Sequence, residues 1–345
     1  MNISDRTISP NHPTFVIAEI GVNHDGSVSR ALELVDLAAA CGADAVKLQI
    51  FSATKLMHGT SQFAEYQQTR VNDANPVEML KRYELSADGV KTVVAAIRKR
   101  GLIPLATPFS PSDVDVIAEL GLPAVKIASP DLVNAMLLAK VVKLNVPVIL
   151  STGAATLDEV DRTCAWMRDW NRSFALLHCV SNYPVVNGDA NLCWIGELAE
   201  RCSGNAGYSD HTTDELTGAF AVSAGACIVE KHLTYNRQAA GPDHSASADP
   251  QQFDKYVRAI RLAETMRGKA GKRVLACEAD VRRVSRQSVV IARELPSGST
   301  IREEDLTVQR PGTGICASEI RHVIGRRVKQ NLRAGDLLDW DMLAA

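Results

Sequence analysis

A carboxylate, Glu19, interrupts the apolar run FVIAEI at 15–20, and the next apolar run, AVKLQIF at 45–51, carries Lys47 and Gln49. A charged group in such a run is costly unless it faces a polar site. Two readings follow for Glu19. It is a general acid or base with a pKa raised by burial, or half of a structural ion pair with Lys47. His211 and His232 each close a later apolar run. Two imidazoles at neighbouring strand ends can share a divalent cation and leave positions open for substrate or water. The plainer alternative is a pair of hydrogen-bonding residues without metal. Asp210 and Glu230, beside them, could complete that shell or orient the rings. Lys47, Thr107, Lys126, Ser129, Ser151 and Ser181 form a candidate anion cradle, since hydroxyls, lysines and backbone amides bind phosphate on one face of many barrels. A lone strand lysine more often pairs with a carboxylate, but two among several hydroxyls favour an anionic ligand. In AAGPDHSAS (239–247), the Gly-Pro turn either presents Asp243 to such a site or is an ordinary connection.

These residues recur with a rhythm that requires a scaffold. Short apolar runs end in polar clusters: Glu19 with Asn23 and His24, Lys47 with Gln49, Thr107, Ser129 with Asp131, Ser151 with Thr152, Ser181 with Tyr183, Ser209 to His211, and Glu230 to His232. Runs that are apolar at nearly every residue suit parallel strands buried on both faces. Eight strand ends carrying polar groups predict an α/β fold, a (β/α)8 TIM barrel with its site at the C-terminal face. The later strands are LIPLAT, AVKIAS, PVILST, SFALLHC, NAGYS and ACIVEKH. Helical spacing predicts helices over 28–40, 87–100, 112–120, 131–144, 156–170, 191–202, 213–224 and 250–267. The polar segment 52–75 is long for a connection, and loops of that length are usually functional.

The chain has 345 residues, enough for a barrel and a remainder of roughly 60 to 80 residues. The catalytic domain is expected over 1–268 and a basic linker over 269–283. A small β-rich module is expected over 284–345, where short strands alternate with turn signals. A net charge of -2 gives no electrostatic argument for nucleic acid or a membrane surface. The polar N-terminus lacks the apolar core of a secretory signal, and no run is long enough to span a bilayer. The eight cysteines form no C-x-x-C pair and read as reduced packing residues of a cytoplasmic protein.

The segments AEIGVNHDG, GADAVKLQIF, ATPFS, VKIASPDL, ILSTGA, LLHCVSNYP, YSDHT, VEKHLT and GPDHSAS occur in an order that resembles the sialic acid synthase family, with its N-acetylneuraminate, legionaminate and pseudaminate synthases. The tail, with RQSVVIARELPSGSTIREEDL and QRPGTGI, resembles the antifreeze-like SAF (β-clip) domain of those enzymes. The resemblance covers roughly residues 13–343.

It implies condensation of phosphoenolpyruvate (PEP) with the open-chain aldehyde of an N-acylated amino sugar, releasing phosphate. It further implies a divalent metal, typically Mn2+ with Mg2+ or Co2+ as alternatives, and a domain-swapped homodimer. By the same resemblance His211 and His232 are metal ligands and Glu19 is the catalytic carboxylate. Lys47, Thr107, Lys126, Ser129, Ser151 and Ser181 surround PEP. Gln49, Asp131, Tyr183, Ser209 and Asp243 belong to the sugar side, and Arg310 is the arginine that the tail inserts over a partner's barrel. Pro130, Asp131 and the Val-Val after Pro184 depart from the family pattern at the sugar pocket, leaving the acceptor open between N-acetylmannosamine and a 2,4-diacetamido-6-deoxy hexose. Two alternatives stand beside this reading. One is another PEP-dependent barrel synthase, which would need a second phosphate site. The other is a catalytically silent carbohydrate-binding barrel, against which both histidines, Glu19 and Lys47 argue.

Overall fold

The structure is a computed structural model that describes residues 1–58, 61–62 and 75–344. The chain forms two compact units, Met1–Lys269 and Ala270–Ala345. Most of the segment read as a long loop at 52–75 lies outside the described residues.

The first unit begins with two short antiparallel strands, β1 (Asn2–Ile3) and β2 (Arg6–Thr7), that no periodicity in the sequence announces. There follow β3 (Phe15–Glu19), α1 (Val28–Ala40), β4 (Ala45–Ile50), α2 (Ala53–Leu56), α3 (Pro76–Tyr83), α4 (Ala87–Lys99), β5 (Ile103–Pro108), α5 (Pro111–Leu120) and β6 (Val125–Ile127). The unit continues with α6 (Ala135–Val141), β7 (Val148–Ser151), α7 (Leu157–Asp169), β8 (Phe174–Cys179), α8 (Trp194–Arg201), β9 (Ala206–Asp210), α9 (Thr217–Ser223), β10 (Ile228–His232) and α10 (Pro250–Arg267). Strands β3 to β10 close into a parallel eight-stranded barrel, with β10 pairing back onto β3 so that His232 stands opposite Glu19. This is the (β/α)8 architecture expected from the strand-end rhythm.

Helix starts follow local chemistry. Thr156 and Glu159 form a capping box at α7, as Asp249 and Gln252 do at α10, where Pro250 occupies the first turn. Three predicted helices are shorter than expected. The span 131–144 splits because Asn134 accepts from the Leu137 amide and starts α6 there, while Ser129–Asp131 forms a separate 3-10 turn. The spans 191–202 and 213–224 contract to α8 and α9.

Strand periodicity sorts the barrel wall into two faces. Outward residues such as Val16, Ala18, Val46, Leu48, Val125, Leu150, Leu176 and Val229 pack under the helices. Inward residues near the strand starts, including Phe15, Ile17, Ala45, Ile103, Leu105, Ile149, Leu177 and Ile228, fill the lower barrel. Ile3 and Ile8 of the N-terminal hairpin join them. One layer higher the inward residues turn polar: Glu19, Lys47, Thr107, Lys126, Ser151, Ser209 and Glu230 are all buried.

The second unit has its own core around Val289, Ile291, Ile301, Ile315, Val323, Val328 and Leu338. It includes α11 (Ala279–Ser285), which begins in the stretch read as linker and runs past its end, and pairs β11 (Ser288–Ile291) with β12 (Leu306–Gln309) in antiparallel fashion.

Candidate active site

The C-terminal ends of the barrel strands surround a cavity of about 520 Å3. Its floor is a charge cluster. Lys47 Nζ lies 2.9 Å from Glu19 Oε2 and 2.9 Å from Glu230 Oε1. Lys126 Nζ lies 3.5 Å from Glu230 Oε1 and donates to Ser151 Oγ at 2.6 Å. Ser209 Oγ donates to the same Glu230 oxygen at 3.1 Å. The Glu19–Lys47 ion pair of the plainer reading is therefore present, and it sits within a site rather than in inert core. Glu230, expected beside the imidazoles, meets the two lysines with Oε1 and keeps Oε2 free of them.

Electrostatics divide the cluster. Burial alone would lower the Lys47 pKa, but Glu19 and Glu230 outweigh it and hold the ammonium charged. Lys126 has weaker compensation, and burial pulls its pKa down to about 8. Burial would raise the Glu230 pKa, but Lys126 and Lys47 hold it below the usual carboxylate range. Glu19 is raised, first by burial and then by Glu230, although Lys47 opposes the shift. Two carboxylates sharing one lysine thus have proton affinities pushed apart, an arrangement typical of acid–base sites.

Above Lys126 a cradle of small groups opens. Ser129 Oγ accepts from the Gly153 amide at 2.9 Å. A Cβ on Gly153 would sit 2.2 Å from Ser181 Oγ, 2.9 Å from Ser129 Oγ and 3.1 Å from Cys179 Sγ. Glycine is what allows these groups to converge. Thr107 Oγ1 is buried on this face with no hydrogen-bond partner.

The opposite wall carries rings. Tyr183 stacks on His211 with centroids 4.0 Å apart and meets His232 edge-on at 5.8 Å, while the two imidazoles lie 5.4 Å apart. His211 Nδ1 donates to the Val180 carbonyl at 2.8 Å, which leaves Nε2 as a lone-pair donor. Burial would lower its pKa, but Cys179 and that carbonyl keep the ring more basic than usual. Burial, followed by His211 and Lys47, holds His232 neutral. Its buried Nδ1 has no hydrogen bond, and the nearest carboxylate oxygen, Asp243 Oδ2, is 3.6 Å away. Glu230 Oε2 is likewise buried without a hydrogen-bond partner. A free imidazole nitrogen on His211, the neutral ring of His232 and the orphaned Glu230 oxygen fit a divalent cation that takes its remaining ligands from substrate and water. Among the described residues no three His, Cys, Asp or Glu side chains form a complete protein cage.

Of the other expected residues some line the cavity and others lie away from it. Gln49 Nε2 donates to Glu19 Oε1 at 3.3 Å, and the Gly21 amide does so at 2.6 Å. Glu19 itself is fully buried and lies beneath the lining. Asp131 lines the cavity and accepts from Asn134 Nδ2, and burial raises its pKa. Asp243 lines the rim. Asn23 and His24 do not line it. Asn23 Nδ2 donates to the Leu233 carbonyl and to Ser247 Oγ, which in turn donates to the Asp243 carbonyl, so this asparagine fastens the loop that presents Asp243. Thr152 Oγ1 donates to the Leu177 carbonyl. Asp210 points outward through the barrel wall, where it bonds Lys231 and Tyr256 instead of meeting the rings. Arg310 belongs to the second unit and is exposed.

Sequence reasoning passed over Cys179, taken as packing, although it lines the cavity. It also passed over an apolar wall built from Val22, Phe51, Leu56, Met57, Met79, Leu80 and Phe109. Period-two spacing could have found Cys179, because it shares a face with Ala175 and Leu177.

A family model, NeuB, matches residues 34–272, and a SAF domain model matches 286–344. The chain is 38% identical to the N,N'-diacetyllegionaminic acid synthase of Legionella pneumophila, across 96% of this chain and 95% of that one. It is 34% identical to the enzyme of the same name from Campylobacter jejuni, across 94% and 98%. Among solved structures it resembles an N-acetylneuraminic acid synthetase from Leptospira borgpetersenii in complex with citrate. There the TM-score is 0.74 and the identity 31%, covering 81% of this chain and 94% of that one.

Proposed function

The chain belongs to the NeuB family, and on that footing we propose that it joins phosphoenolpyruvate to the open-chain aldehyde of an N-acylated amino sugar, giving a nine-carbon 2-keto acid and inorganic phosphate. The observation that carries this reading is the meeting of two buried lysines and two imidazoles in one cavity. An anion and an aldehyde can be held there within reach of each other.

In this reading Lys47 and Lys126 face the carboxylate and phosphate of PEP, and Thr107, Ser129, Ser151 and Ser181 supply donors around them. Carbon 3 of PEP attacks the aldehyde carbon, whose oxygen takes up a proton and becomes a hydroxyl, and the new C–C bond leaves cationic character at carbon 2. Water adds there, and the resulting adduct collapses to the ketone as its C–O bond to phosphate breaks. Glu19, held by Lys47, Gln49 and the Gly21 amide, takes the proton from that water or steadies the cation. Gln49, Asp131, Tyr183, Ser209 and Asp243 orient the sugar. A divalent cation, most simply Mn2+, would be held by His211 and His232 and supply Lewis acidity toward the aldehyde oxygen. Arg310 acts over the barrel of a partner in a domain-swapped homodimer, and the reaction takes place in the cytoplasm. No helix among the described residues is long and apolar enough to cross a membrane.

The apolar wall favours an acceptor bearing a methyl and a second acetamido group over one bearing hydroxyls, because unpaired hydroxyls against Phe51, Met57 and Phe109 would lose hydrogen bonds. The two legionaminic acid synthases among the relatives point the same way. The test is phosphate release from PEP with N-acetylmannosamine or 2,4-diacetamido-2,4,6-trideoxymannose, before and after chelation and Mn2+ return. Turnover requires the cation and is faster with the diacetamido sugar. Equal turnover in chelator overturns the cation assignment, and release with neither sugar overturns the reaction.

A further inference from the structure

The outer layer of the barrel wall is mostly aliphatic, but a buried charged pair lies directly behind the two imidazoles. His211, just past the end of β9, and His232, the last residue of β10, line the cavity, and the alternation of strand side chains sends Asp210 and Lys231 out toward α9 and α10. There Lys231 Nζ donates to Asp210 Oδ2 at 3.0 Å and to the Thr212 carbonyl at 2.5 Å. Tyr256, from α10, donates to the same Asp210 oxygen at 2.8 Å, and its ring lies 5.1 Å from the Lys231 ammonium. Asp210 Oδ1 accepts from the Thr212 amide at 2.8 Å, and Thr212 Oγ1 bonds Thr217 Oγ1 of α9 at 2.9 Å. Asp210, Lys231 and Tyr256 are each no more than 2% exposed.

A buried ion pair is a poor way to gain stability, since aliphatic replacements of similar volume often do as well or better. Its position suggests another purpose. The β9–β10 ladder ends at the Asp210–Lys231 pair, so His211 stands one residue beyond sheet pairing. The cluster ties both chain neighbours of His211, residues 210 and 212, to the chain neighbour of His232, residue 231. We propose that Asp210, Lys231 and Tyr256 are positioning residues that set the spacing of the two imidazoles and thereby the affinity of the site for a divalent cation. The proposal rests on the reading of His211 and His232 as cation ligands.

The experiment measures Mn2+ dissociation constants of the full-length protein by calorimetry and by the free-Mn2+ EPR signal, alongside melting temperature and PEP affinity. Tyr256→Phe keeps the ring and removes one donor to Asp210. Gly218→Ala displaces the same ring, because its Cβ would stand 2.5 Å from Tyr256 Cζ. Both variants are expected to weaken Mn2+ binding about tenfold or more, the range seen when groups supporting a metal ligand are lost. PEP affinity stays unchanged, and activity is recovered at raised Mn2+. His211→Ala serves as the reference. If it binds Mn2+ as tightly as the wild type, the cation reading itself fails. If His211→Ala loses Mn2+ while folded Tyr256→Phe and Gly218→Ala retain wild-type affinity, whatever their melting temperatures, the positioning role is wrong.

Discussion

Lys126 should place a proton switch in the alkaline range of PEP capture. Its ordinary pKa is 10.5, and burial lowers it to about 8 in the folded chain. The ammonium is the form that attracts an anion, so PEP capture is present below that pKa and fades as pH rises through it. A group titrating at 8 is about 90% charged at pH 7 and about 10% at pH 9. The value of kcat/KM for PEP, which reports free-enzyme ionisations, therefore falls about tenfold between those two pH values. A lysine at 10.5 would lose only about 3% over the same interval. Two variants assign the limb. Lys126→Arg stays charged throughout and abolishes the fall, though at a reduced plateau because the guanidinium fits the Ser151 contact poorly. Glu230→Gln removes the carboxylate that props up the Lys126 pKa, so the limb moves to lower pH. The assay is initial phosphate release at limiting PEP and saturating sugar, from pH 6 to 10. A flat profile to pH 9.5, or a limb of unchanged midpoint in Lys126→Arg, refutes the assignment.

Three further outcomes are expected. Glu19→Gln keeps size but removes charge and basicity, so kcat drops at least ~10²-fold with a smaller change in PEP affinity. A near-normal kcat would return Glu19 to a purely structural ion pair. Gly153→Ala forces a methyl against Ser129, Cys179 and Ser181, and strain of ~1–3 kcal/mol in the cradle raises KM for PEP by about fivefold or more. An unchanged KM would show that no anion sits there. Mixing inactive Arg310→Ala chains with inactive Glu19→Gln chains restores activity at one of the two sites of a mixed dimer. Subunit exchange that restores nothing rules out action across subunits.

The barrel was legible because the same residues that close it also display its site. Lys47, Thr107, Lys126 and Ser151 all stand where an apolar run turns polar, and that transition depends on local sequence alone. Pairing is a different matter. That Glu230 serves Lys47 and Lys126, which lie far away in sequence, follows only from barrel closure and register. Alternation along β9 does imply that Asp210 and His211 face opposite sides, yet proximity in sequence suggested a shared role for them. The N-terminal hairpin escaped notice because two-residue strands have no period to detect. Helix ends within 131–144 were set by capping and 3-10 turns, which apolar spacing does not register.

That hairpin has a kinetic consequence. Among the described residues Ile3 and Ile8 pack into the lower barrel beside Phe15, Ile17 and Ile228 and close its floor, so the cavity is approached from the C-terminal ends of the strands. Under the proposed reaction, PEP lodges on the lysines at the bottom and the sugar lies above it, so the two substrates must queue. PEP goes in first, and a sugar that arrives early bars its way. Phosphate, formed deepest, waits beneath the product until the sugar acid has left. Trapped phosphate would then compete with the next PEP molecule and leave sugar binding untouched. A plugged barrel floor thus dictates an order of traffic as well as a place for chemistry.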